Sequence, residues 1–213
     1  MRKITFYILF ITTCFLNTNA NSQQLADTIF VLKESIDSNI HKIFIEPNKN
    51  SIYYESIGDF HSFPKSSKKE KLKLGRLPKK WVSLHLYKEK FYLYAPCDYC
   101  FNSKIGFIQN EISFENCEII SYKIDGFEKI NNLKYTFNYN NYNKIDIYII
   151  DKKRGIAVFK YKNADNEINY QLMADLKKIK KFQIIINDCR DSKTKEFEFE
   201  TIDFEKIITK TEN

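Results

Sequence analysis

Along most of its length the chain alternates apolar and polar positions in short runs, the pattern of strands with one face buried and one face wet. Lys42 to Glu46 and Ser51 to Glu55 flank Pro47-Asn48-Lys49-Asn50, a turn-forming set that predicts a hairpin. Trp81 to Tyr87 and Phe91 to Ala95 read as a couple joined through Lys88-Glu89-Lys90. Ile105 to Ile108 and Glu111 to Phe114 read as a second hairpin across Gln109-Asn110. Cys117 to Ile124, Lys134 to Tyr139 and Ile145 to Ile150 extend the series. Asp151 to Gly155 is then a turn, with Gly155 supplying a positive φ, into Ile156 to Lys162, and Asn163 to Asn166 leads to Ile168 to Met173. These last runs predict a meander.

The pattern changes in a few places. After Asp27, the residues Ile29, Leu32, Ile36 and Ile40 suit one face of a short helix, while Thr28 to Val31 reads equally well as a strand. Asp175 to Lys181 fits a short helix with Leu176 and Ile179 inward, before a strand over Phe182 to Asn187. Glu196 to Glu200 alternates strictly between glutamate and phenylalanine and predicts a strand with one apolar and one carboxylate face. Those glutamates all project from one strand face, which cannot by itself surround a cation; a solvated face is the simpler reading.

Short strands joined by tight turns predict a mainly β fold. The expected form is an antiparallel meander closed into a barrel or folded as a two-sheet sandwich, with one or two short peripheral helices. No fixed-period repeat is present, which argues against a propeller or solenoid.

The first twenty residues do not belong to that pattern. Arg2 and Lys3 precede an apolar run from Ile4 to Leu16, and small and polar residues follow from Asn17 to Ser22. A run of about thirteen apolar residues is too short for a membrane span, which needs roughly twenty. Residues 1–20 therefore read as a cleaved signal peptide, leaving one β-rich domain over 21–213. Cys14 offers a lipid anchor as a rival, but Thr13 before it and Phe15 and Leu16 after it are a poor match to a lipoprotein signal.

Export constrains the remaining composition. Aromatics make up 15% of the chain, with 18 Phe and 14 Tyr against 5 Gly and 4 Pro, which suits pleated strands and excludes a disordered or collagen-like chain. No Asn-x-Ser/Thr sequon occurs in this Asn-rich sequence, in keeping with a bacterial exported protein. The net charge is +7, and much of it sits in a loop over 58–80 that carries Lys65, Lys68, Lys69, Lys71, Lys73, Arg76, Lys79 and Lys80. Nucleic acid is not expected outside the cytoplasm. The remaining partners for such a loop are an acidic protein, a glycan or an anionic envelope surface, against the simpler role of keeping sheet edges apart.

Beyond the leader, Cys97, Cys100, Cys117 and Cys189 form an even set where disulfides persist. A redox dithiol needs a helix after its first cysteine, and Phe101 onward has no helical period; a zinc site would need thiolates converging from distant positions. A structural crosslink is the better reading, with Cys97 to Cys100 the expected pair.

Motifs for catalysis are missing: no Gly-x-Ser-x-Gly, no His-Glu-x-x-His, no phosphate-cradling glycine loop, and no cofactor or metal signature. His85 shares a strand face with Ser83 and Tyr87, and His61 lies on a loop beside Asp59 without a nucleophile. The expected function is a non-enzymatic exported binding protein whose aromatic residues meet a partner on a sheet face or in a barrel mouth. Tyr92, Tyr94 and Tyr99 are the aromatic candidates and Lys68, Lys69, Lys71 and Lys73 the basic ones. An envelope hydrolase using loop-borne acids or His61, and an inhibitor or immunity-type protein, are the alternatives.

Overall fold

A computed structural model describes residues 35–36, 39–40, 42–60, 73–98, 100, 102–188 and 195–212. The expected signal peptide, Cys14, His61, Lys68, Lys69, Lys71 and Tyr99 lie outside the described residues. Two short strands, β1 (Ser35–Ile36) and β2 (Asn39–Ile40), pair with each other, and β3 (Lys42–Glu46) follows.

The centre of the molecule is a closed barrel of eight antiparallel strands. Around it run β4 (Lys80–Ser83), β7 (Lys104–Ile108), β8 (Glu111–Glu115), β9 (Ile119–Lys129), β10 (Lys134–Tyr139), β11 (Asn143–Asp151), β12 (Ile156–Lys162) and β13 (Ile168–Asp175), which pairs back to β4. The order around the barrel is the order along the chain, so the meander expected from the sequence closes on itself. One excursion interrupts it: β5 (His85–Tyr87) and β6 (Lys90–Ala95) leave after β4 and build a second sheet. The run from Trp81 to Tyr87 is therefore two strands in two sheets, and only its second half pairs with β6.

That second sheet has the order β3, β14 (Gln183–Asp188), β6, β5, with β14 and β6 parallel. The expected hairpin partner of β3, Ser51 to Glu55, is instead the start of helix α1 (Ile52–Gly58). Its apolar Tyr54 and Ile57 stand three apart, a helical spacing, and both are buried. The Tyr54 hydroxyl donates to the Phe182 carbonyl at 2.7 Å, and β3 finds its antiparallel partner in distant β14.

Three apolar layers result. Inside the barrel, Trp81, Ile105, Phe107, Phe137, Ile145, Phe159 and Met173 fill the centre, with Phe107 stacked on Phe137 at 4.4 Å between ring centroids. Between barrel and second sheet, Val82, Val158 and Leu172 meet Leu93, Ile184 and Ile186. On the sheet's far face, Tyr92, Tyr94 and Ile185 are covered by Phe197 and Phe199. Covering on both faces explains why Ile184-Ile185-Ile186 is a continuous apolar run rather than an alternating one.

The predicted short helix is a 3-10 helix, Leu176–Lys181, capped by the Asp175 side chain accepting from Lys177 N at 3.0 Å. Gly155 has φ +78°, as its turn requires, and a Cβ there would lie 2.7 Å from Lys178 Cδ. Glu196 to Glu200 is extended but is not a strand; it lies as a strap over the second sheet, with Glu200 N donating to Leu86 O at 3.1 Å. A further helix, α2 (Phe204–Glu212), follows the strap. It docks on the barrel wall through buried Ile208, a Phe204 ring stacked on Tyr170 at 5.4 Å, and Glu205 accepting from Lys160 at 2.9 Å.

Candidate functional site

The two ends of the barrel differ. At one end Leu74 and Leu77, from the segment before β4, pack against the interior beside Trp81, whose indole Nε1 donates to the Pro78 carbonyl at 2.9 Å. That end is stoppered. At the other end lie the C-termini of β8, β10 and β12 and the N-termini of β9, β11 and β13.

Inward positions near this second end are aromatic: Phe114 on β8, Tyr122 on β9, Tyr139 on β10 and Tyr161 on β12. Their rings form a connected set, with Phe114 at 6.1 Å from Tyr122, 5.7 Å from Tyr139 and 6.5 Å from Tyr161, and Tyr122 at 5.7 Å from Tyr139. Phe114, Tyr122 and Tyr161 are half-buried and Tyr139 is buried. The Tyr161 hydroxyl donates to Gln171 Oε1 at 3.1 Å.

Burial, helped by neighbouring Tyr122, pushes the Tyr139 phenol up to about 12, and burial with Tyr139 close by raises Tyr161 well above its ordinary value. Both stay protonated at neutral pH. They can give and accept hydrogen bonds, but they offer no phenolate for catalysis.

Around these rings, four large apolar side chains stand exposed among the polar turn residues of the same end. Ile119 is 43% exposed, Ile120 47%, Tyr142 77% and Ile168 48%. Ile119 and Ile120 open β9, Tyr142 occupies the turn between β10 and β11, and Ile168 opens β13. Four of the six large apolar side chains most exposed among the described residues thus share one end of one barrel. Ile130 and Ile52 lie elsewhere.

A disulfide braces the same end: Cys100, in the approach to β7, is bonded to Cys117, in the β8–β9 turn. This corrects the expected Cys97–Cys100 pair. Cys97 is itself disulfide-bonded, but not to Cys100, whose sulfur is engaged across the barrel end. Adjacent β7 and β8 bring Cys100 and Cys117 together, a proximity that the short spacing of Cys97 and Cys100 does not reveal.

The aromatic residues favoured from sequence do not form this surface. Tyr92 and Tyr94 are buried under the strap, in the core of the second sheet. The Tyr94 hydroxyl donates to Glu196 and accepts from Phe197 N at 2.9 Å. Lys73 is exposed, on the approach to the stoppered end.

His85 is enclosed rather than exposed. Its ring stacks on Phe199 at 4.3 Å and meets Tyr94 edge-on at 5.8 Å, and its buried Nε2 has no hydrogen-bond partner. Burial pulls its pKa down to about 4, so it is neutral at pH 7. Among the described residues no three His, Cys, Asp or Glu side chains gather as a metal-binding group.

No protein-family model matches this chain, and no curated protein or solved structure is found similar to it.

Proposed function

We propose that this chain is an exported, non-enzymatic binding protein of the bacterial envelope, and that it meets its partner through the barrel end opposite Leu74 and Leu77. The supporting observation is the rim: Ile119, Ile120, Tyr142 and Ile168 exposed together around a half-buried aromatic floor. Isolated surface isoleucines are ordinary, but exposed large apolar side chains gathered at one end of a domain are characteristic of interaction surfaces. Tyrosine adds apolar area with a polar tip at low conformational cost, which favours a protein partner over a small ion.

The Cys100–Cys117 bond supports export, because such crosslinks persist outside the reducing cytoplasm. It also holds the two loops at the proposed contact end, limiting the ordering needed on binding.

The test is capture from an envelope extract with the purified protein and with Ile120→Asp and Ile168→Asp. A single specific protein retained by the parent and lost by both variants, with melting temperature unchanged, supports the reading. Equal capture by all three, or turnover of a substrate by the parent with no partner retained, sinks it.

A further inference from the structure

The charge of the barrel is segregated along its axis. At the proposed contact end, the β8–β9, β10–β11 and β12–β13 turns carry Glu118, Asp165 and Glu167 and no Lys or Arg. At the stoppered end the β11–β12 turn carries Lys152, Lys153 and Arg154, and the 3-10 helix that follows β13 reads Leu-Lys-Lys-Ile-Lys-Lys. These two basic segments are clamped together. Lys178 Nζ donates to the Lys152 carbonyl at 2.8 Å and Lys181 Nζ to the Lys153 carbonyl at 2.6 Å. The close approach depends on Gly155, since a Cβ there would lie 2.9 Å from Asp175 Cβ as well as against Lys178.

Carbonyl oxygens satisfy the hydrogen bonds of these ammonium groups without cancelling their charge. Of the neighbouring acids, Asp151 holds Arg154 at 2.7 Å, and buried Asp175 caps the helix by accepting from Lys177 N. Lys152, Lys153, Lys177, Lys178, Lys180 and Lys181 have no carboxylate partner among the described residues. The undescribed residues hold more Lys and Arg than Asp and Glu, so taken together they add positive charge rather than cancel it. Gathering like charges opposes folding through self-repulsion, which a counter-charged surface relieves.

We infer that the stoppered end docks on an anionic membrane surface, a layer of phosphate-bearing lipid headgroups. Lysine predominates in the face, and Arg154 is already engaged by Asp151. Flexible ammonium point charges suit a diffuse layer of charge, whereas recognition of one phosphate or carboxylate favours the planar fork of arginine. The same end carries exposed Ile130 in the β9–β10 turn. That turn is tied to the strand leading into the basic turn, since Ile149 N donates to the Leu133 carbonyl at 2.8 Å. An apolar side chain beside ammonium groups matches the headgroup boundary, where apolar burial and electrostatic attraction add. The polarity of the barrel also orients it: with the basic end on the membrane, the acidic turns and exposed Ile120 and Ile168 lie at the opposite end, accessible to a protein partner.

The inference shares with the proposed function only the envelope location, and its test reads the other end of the barrel. Protein purified from the envelope fraction is floated with vesicles of phosphatidylcholine alone and with vesicles that also contain about 30% phosphatidylglycerol. The expected result is binding to the second kind only, lost when salt is raised from about 0.05 M to about 0.5 M. Lys152→Gln with Lys153→Gln should weaken binding about thirtyfold, roughly fivefold per charge, at an unchanged or raised melting temperature. Lys162→Gln with Lys206→Gln removes the same charge away from that face and should weaken it far less, and Ile120→Asp and Ile168→Asp should leave it intact. Equal binding to both vesicles, or to neither, overturns the inference, as does an equal loss in the two lysine pairs or a loss in the isoleucine variants. Capture by heparin or polyglutamate without vesicle binding overturns it too, assigning the face to a glycan or an acidic protein.

Discussion

The Tyr94 hydroxyl donates a 2.5 Å hydrogen bond to Glu196 Oε2, joining the middle of β6 to a strap more than one hundred residues later in the chain. The same carboxylate accepts from Asn187 Nδ2 at 3.2 Å and from the N–H groups of Cys97 and Asp98. One side chain thus satisfies donors from two strands and a loop, and burial together with this bond raises the Tyr94 pKa.

Removing either partner should be felt through the groups left unpaired. Tyr94→Phe deprives Glu196 of a donor and Phe197 N of an acceptor. The expected loss is about 1–3 kcal/mol by guanidinium unfolding. Glu196→Ala strands more donors and should cost more than Tyr94→Phe. A Glu196→Ala protein as stable as the parent would show that the strap is not held by this hub.

The buried His85 predicts a pH dependence. Its folded pKa, about 4, lies below its ordinary value near 6.5, so the unfolded chain binds the extra proton first as pH falls. Stability is therefore full above about pH 6.5, declines between 6.5 and 4, and loses on the order of 3 kcal/mol across that window. His85→Phe retains the stack on Phe199 and should flatten that part of the profile. Identical urea-melt profiles for parent and variant from pH 7 to 4 would contradict the burial argument.

Lys104 and Glu115 face each other across β7 and β8 on the barrel's outer wall, 3.1 Å apart and nearly enclosed. The Lys104 ammonium also donates to the carbonyls of Ser56 and Asp59 at the C-terminal end of α1, where the helix dipole favours a cation. Lys104→Met should destabilise by about 3–5 kcal/mol, because it removes the buried cation that Glu115 and two helix carbonyls share. Adding Glu115→Leu should recover a large part of that loss. A double variant no better than the single one would assign the effect to the helix carbonyls instead.

Peptide mapping without reduction should return a Cys100–Cys117 crosslink. Replacing both by serine removes a closure across a separation of 17 residues and should cost about 3 kcal/mol. Recovery of a Cys97–Cys100 peptide would reverse the assignment.

The candidate site was legible only in fragments. Phe114, Tyr122, Tyr139 and Tyr161 each stand in a run that reads as a strand, but nothing local shows that the four end at one barrel mouth. Ile119, Ile120, Tyr142 and Ile168 read as apolar residues near turns, indistinguishable in one dimension from core residues. Tyr92 and Tyr94 misled because alternation exposes one face of an isolated strand; Phe197 and Phe199 arrive from afar to cover that face. Ser51 to Glu55 misled because a few apolar and polar residues fit both periods, and its partner strand is chosen elsewhere.

Local chemistry determined most of the barrel strands, their turns and the mainly β class, because alternation, asparagine- and glycine-bearing turns and the Asp175 cap act over a few residues. Tertiary structure decided the closure of the meander into a barrel, the parallel pairing of β6 with β14, the Cys100–Cys117 bond and the covering of Tyr94 by the strap. Each depends on contacts between residues far apart in the chain, whose burial is a property of the folded neighbourhood rather than of the residue. The same sequence that specifies every strand of the barrel mouth therefore leaves the mouth itself invisible until the strands close around it.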